Sequence, residues 1–130
     1  MNRLVAVGIP VAKAKEIFNP TNLKFMQPWK TLAATVHVGT QTEGWSLATP
    51  PDEHQDQTRV FRFDVYFSAP FETPPVVHLG LTGFDVDQRD AGRLTLAATD
   101  ITTTGFTAEI ATWRETRVYS VVFSWLALGA

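Results

Sequence analysis

The chain has 130 residues, a length typical of one domain and enough to bury a core without covalent staples. It contains no cysteine, which excludes a disulfide framework, thiolate chemistry and the usual cysteine-type zinc sites. A net charge of −2 with no basic cluster argues against a nucleic-acid surface, and no apolar run approaches the roughly 18 residues of a transmembrane helix.

Residues 1–30 carry Pro10, Pro20 and Pro28, with the large apolar groups Phe25, Met26 and Trp29 in a stretch that has no periodicity of its own. Residues 4–7 suit a brief strand and residues 12–18 a short helix. The apolar start is short and interrupted by Pro10, so it reads as mature structure rather than a signal peptide. This segment is an arm or docking segment, and residues 31–130 form the domain.

From residue 35 the pattern is β. Residues 35–38 form the first predicted strand, followed by a polar loop over 39–57. Over 59–67, Phe61, Phe63, Val65 and Phe67 share one face and Arg62, Asp64 and Tyr66 the other. Three prolines make 68–75 a connection. Strands are expected over 76–81 and 93–98, separated by an Asp-rich loop. The last two, 105–112 and 117–127, flank the polar link Trp113-Arg114-Glu115-Thr116. In 105–112, Phe106, Ala108 and Ile110 alternate with Thr107, Glu109 and Ala111. In 117–127, Tyr119, Val121, Phe123 and Trp125 alternate with a second, rather apolar face that includes Val118, Val122 and Leu126. That second face calls for cover from another sheet or another protomer. Six short strands with turns between them make an all-β antiparallel sandwich or barrel.

Catalytic chemistry finds little support. His37, His54 and His78 lack metal-site spacing, and His37 and His78 read as satisfied structural residues within strands. Asp85, Asp87 and Asp90 lack the glycine and distal glutamate of an EF-hand, so they read as a solvated acidic loop. There is no nucleophile elbow and no glycine-rich phosphate loop. No enzyme activity and no cofactor are expected. A binding module fits better. Sugar rings present an apolar C–H face and a fan of hydroxyls, held by an aromatic plate with a carboxylate and a cation. Trp113, Arg114, Arg93 and Asp56 supply these types outside the apolar faces, although exposed Trp and Arg also serve protein interfaces.

A set of short motifs in fixed order sharpens this reading. They are Gly44-Trp45, Asp56-x-Thr58-Arg59, Phe67-Ser68-Ala69-Pro70-Phe71 and Pro74-Pro75-Val76-Val77. They continue with Asp85-Val86, Arg93, Thr104-Gly105-Phe106, Thr112-Trp113, Thr116-x-Val118-Tyr119-Ser120 and Ser124-Trp125. With these, residues 44–128 resemble the H-type lectins, the family of snail agglutinins and discoidin C-terminal domains. The resemblance implies a six-stranded antiparallel β-sandwich, assembly as a homotrimer, and non-catalytic binding of galactose-type sugars, especially N-acetylgalactosamine, between protomers. It also favours an extracellular, cell-surface or particle-surface setting.

Carried over by position, Asp56 and Arg93 match the groups that hydrogen-bond sugar hydroxyls. Trp113 and Tyr119 match aromatic positions that the adjoining protomer contributes. Arg114 stands where the snail-type motif has histidine, and His54 where it has a small residue. A permanent charge with a planar donor fork at Arg114 suits a carboxylate or phosphate, so an acidic glycan joins the expected ligands. The family's disulfide cysteines are absent. For residues 1–30 two roles stay open: mounting the trimer on a larger body, such as a fibre or spike of a phage-like particle, or folding back to add area to the trimer interface. The competing function is a structural or adaptor subunit that uses the lectin fold as an interaction surface.

Overall fold

The computed structural model describes residues 29–49 and 57–130. The expectations for residues 1–28, and those for His54 and Asp56, lie outside the described residues. Among the described residues six antiparallel strands form two three-stranded sheets: β1 (Lys30–Gly39), β2 (Arg59–Tyr66), β3 (Val76–Val86), β4 (Thr95–Thr99), β5 (Gly105–Thr112) and β6 (Val118–Gly129). One sheet has the order β1-β6-β3, the other β2-β5-β4. The last two predicted strands, 105–112 and 117–127, are thus the central strands β5 and β6 of the two sheets. The fold is the predicted all-β sandwich.

Period-2 patterning explains the core. Phe61 and Val65 of β2 and Phe106, Ala108 and Ile110 of β5 are buried against Val121, Phe123, Trp125 and Ala127 of β6. At one end Phe67, Phe106 and Trp125 stack with ring centroids 5.6–6.0 Å apart, and Phe71 closes on Phe67 edge-on at 5.1 Å. At the other end Trp45 lies 5.0 Å from Phe61 and donates its indole N–H to the Val118 carbonyl at 2.9 Å. Each such aromatic pair contributes about 0.5–1.5 kcal/mol beyond its buried area.

Two irregularities change which way side chains point. Thr82 is an extra residue in β3, since Leu81 pairs with Phe123 and Gly83 with Val122; its hydroxyl donates to the Val122 carbonyl at 3.2 Å. Tyr119 is the extra residue in β6, since Asp85 pairs with Ser120 and Val86 with Val118. This second bulge corrects the simple alternation expected for β6. Val118 is fully buried in the core, while Val122 and Leu126 remain half-exposed on the outer face.

Other expectations shift as well. β3 continues to Val86 through the residues read as the start of an acidic loop, because the bulge at Thr82 keeps it paired with β6. β1 begins at Lys30, five residues before its expected start. His37 and His78 sit in strands, as expected, and are exposed there.

Candidate functional site

Three connections meet at one end of the sandwich: residues 40–49 after β1, residues 87–94 between β3 and β4, and residues 113–117 between β5 and β6. Arg59, the first residue of β2, ties two of them together. Its Nη2 donates to the carbonyls of Arg114 (2.6 Å) and Thr116 (2.7 Å), and its Nη1 to those of Thr49 (2.7 Å) and Leu47 (3.3 Å). Burial pulls the Arg59 pKa down from its usual value. The main chain adds a further link, with the Val118 N–H donating to the Leu47 carbonyl at 2.8 Å. This clamp holds the 113–117 turn in a conformation that includes Arg114 at φ +58°, the left-handed region that non-glycine residues rarely occupy.

On that clamped turn, Trp113 is half-buried and Arg114 is exposed. Thr116 is buried, and its hydroxyl donates to the Ala91 carbonyl at 2.6 Å while accepting from Arg93 Nη1 at 3.2 Å. The Glu115 carboxylate stands 3.7 Å from the same nitrogen. The backbone of Arg93 is fixed in turn by Thr112, whose hydroxyl donates to the Arg93 carbonyl at 2.5 Å. Only one guanidinium nitrogen of Arg93 is therefore engaged by the described residues. Among the described residues the rest of the group has no hydrogen-bond acceptor.

A second group lies beside the first. The buried carboxylate of Asp87 accepts from the Arg89 main-chain N–H (2.9 Å), from Arg89 Nε (2.8 Å) and Nη2 (2.6 Å), and from the Tyr119 hydroxyl (2.6 Å). Arg117 Nη2 donates to Asp90 at 2.7 Å, and its Nε stands 4.0 Å from Asp87. The Arg89 hydrogen bonds, then that of Tyr119, hold Asp87 far below the usual carboxylate range. The same contact with Asp87, with burial, raises the Tyr119 phenol. A cleft of about 390 Å³ opens here between Asp85, Arg89 and Tyr119.

The reading of a solvated acidic loop therefore needs correction: Asp87 is a buried, fully partnered anchor. Among the described residues no group of three or more metal-ligating side chains occurs. Of the predicted site residues, Arg114 is held by Arg59, Arg93 joins the same turn through Thr116, and Trp113 precedes Arg114 on that turn. Tyr119 belongs to the neighbouring Asp87 group. Arg59 and Asp87 were not singled out from sequence as site residues, since a strand-initiating arginine and a loop aspartate are ordinary until their partners are seen.

The family model for the H-type lectin domain matches residues 62–128. The chain belongs to the H-type lectin domain family. Arg93, Trp113, Arg114 and Tyr119 fall inside the matched stretch, whereas His54 and Asp56 precede it. Discoidin II of Dictyostelium discoideum has a similar fold: the wild-type structure gives a TM-score of 0.64 at 21% identity, covering 78% of this chain and 37% of that one. A recombinant native structure of the same protein gives 0.63 at 22% identity, covering 77% and 36%. A protein named ATP synthase subunits region ORF 7, from Fuscovulum blasticum, is 39% identical over 72 residues, which are 55% of this chain and 63% of that protein. The lectin domain thus spans less than two-thirds of each of these relatives. Its family and fold support carbohydrate binding, and the name of the Fuscovulum relative indicates no ligand.

Proposed function

We propose that this H-type lectin domain binds glycans without catalysis at the end formed by residues 87–94 and 113–117. The observation that carries the reading is Arg93. Inside the family-matched stretch, its guanidinium is fixed through one nitrogen by Thr116, and among the described residues its other donors have no partner, which suits them to a ligand. Such donors suit the vicinal hydroxyls of galactose-type sugars, with Asp56 as the charged acceptor and Trp113 as the plate. Arg114, exposed beside Trp113, extends the ligand class to acidic glycans, because a fixed cation recognises a carboxylate or phosphate. The site is completed between protomers of a homotrimer, with Trp113, Arg114 and Tyr119 on one and Asp56, His54 and Arg93 on the next. Residues 1–30 mount that trimer on a larger assembly at a cell or particle surface, or add area to the trimer interface.

Two observations favour the adaptor reading instead. The Tyr119 hydroxyl is taken up by Asp87, and Glu115 already faces Arg93. Titration of one neutral and one acidic glycan, at two salt concentrations, separates the readings. Asp56→Asn should weaken every glycan by roughly ten- to a hundredfold, since charge-assisted bonds are worth about 1.5–3 kcal/mol. Arg114→His should weaken only the acidic ligand and flatten its salt dependence. No effect of Asp56→Asn would favour the adaptor.

A further inference from the structure

At the end of the second sheet opposite the lectin loops, β2 finishes at Tyr66 and residues 100–104 connect β4 to β5. β5 has eight residues, so this end stands about 23 Å from the Arg93 end at roughly 3.3 Å per residue. Tyr66 directly opposes Gly105. A Cβ at Gly105 would fall 2.2 Å from the Val65 carbonyl oxygen, so the close approach of the strands demands glycine there. Glycine offers no side chain to cover the tyrosine from across the pair. Tyr66 is accordingly 78% exposed, more than the other exposed large hydrophobics of the described residues.

Tyr66 borders a cleft of about 200 Å³ that also includes Asp64, Asp100, Thr102 and Thr104. Thr107 donates to one oxygen of Asp64 at 3.0 Å, which leaves the other oxygen as an acceptor. Asp100, held at φ +51°, offers a carboxylate on the rim. The Thr102 hydroxyl donates to the Gly105 carbonyl at 3.2 Å and accepts from the Thr104 N–H at 3.2 Å, and the Thr104 hydroxyl, 3.3 Å from it, keeps lone pairs on the rim of the cleft. The lining contains no cationic side chain. An uncovered aromatic face beside acceptors and hydroxyls, with no cation, complements a neutral sugar ring and disfavours an anion.

We propose that this cleft is a second carbohydrate subsite, taking a neutral hexose at the end opposite the lectin loops. A protomer with a sugar contact at each end bridges two glycan-bearing surfaces instead of gripping one. The test is a nitrogen-15 NMR titration of the full chain with galactose, glucose and mannose, each taken to about 100 mM to reach a millimolar site. It is run on the wild type and on Arg93→Ala, which disables the loop end. At least one sugar should shift the amides of Asp64, Tyr66, Gly105 and Thr107 in both proteins. Tyr66→Ala should weaken that response about tenfold, and Tyr66→Phe should preserve it. Tyr66 is exposed, so neither variant threatens folding. Silence of these amides with all three sugars, or an undiminished response in Tyr66→Ala, overturns the proposal. Shifts confined to the 87–94 and 113–117 loops defeat this subsite and leave the lectin site standing. Shifts confined to this end support the subsite and count against the loop site.

Discussion

Arg59 commits its guanidinium to four main-chain carbonyls drawn from two loops. Arg59→Met keeps the aliphatic stem and strands those acceptors, so unfolding stability should fall by about 2–4 kcal/mol. Urea denaturation measures the loss, and glycan binding should fall with it because Arg114 and Thr116 lose their anchor. Asp87 makes a different prediction, concerning pH. Its folded pKa is depressed, chiefly by Arg89 and then by Tyr119. The stability it contributes is therefore complete above its unfolded pKa of about 3.9 and is lost only as pH falls below that value toward the depressed folded one. The stability gap between wild type and Asp87→Asn should be flat from neutral pH to about pH 5 and narrow only below about pH 4. A gap that closes between about pH 7 and 5 would show that Asp87 is not held in this way. Neither residue's role was legible in the sequence: Arg59 reaches the turn 55 and 57 positions on, and although Arg89 is only two positions from Asp87, the Tyr119 hydroxyl that completes its shell is 32 away. Arg93 and the Trp113–Arg114 pair could be picked out as candidates from residue type and motif order.

β6 shows how far alternation can be trusted. Its core face was readable from Val121, Phe123 and Trp125, which do point inward. The bulge at Tyr119 was not, because a single extra residue leaves no mark in a hydrophobic pattern and is set by the pairing with β3. The bulge divides what alternation placed on one face. Val118→Asp puts an unpaired charge into a fully buried position and should destabilise the protomer by about 4 kcal/mol or more. Val122→Asp, on the half-exposed outer face, should leave the protomer folded and act on assembly alone. Circular dichroism melts combined with light scattering distinguish the two; equal loss of folding in both variants would refute the assignment. β5 and β2 were read nearly to the residue because Phe and Ile alternate with charged or hydroxylated partners. β1 was read five residues short, since Leu32, Ala33 and Ala34 carry no alternation, and pairing with β6 alone makes them a strand.

At the scale of the whole molecule, the outer face of the first sheet and the β3 edge expose Val76, Leu81 and Phe84. Apolar side chains so placed suit burial between copies of the chain. Light scattering at micromolar concentration should report a trimer, and a monomer would remove the protomer-spanning site. Three sites on one assembly should raise apparent affinity for a dense glycan surface by about 10²–10⁴ over free sugar. The most direct measurement is a glycan array carrying galactose-type, amino-sugar and acidic glycans at high density, probed with the wild-type chain and with Arg93→Ala. The wild type should bind galactose-type or acidic glycans selectively, and Arg93→Ala should reduce that binding by tenfold or more, a loss of about 1.5–3 kcal/mol per charge-assisted contact. A blank array for the wild type, or equal binding by both proteins, would contradict it.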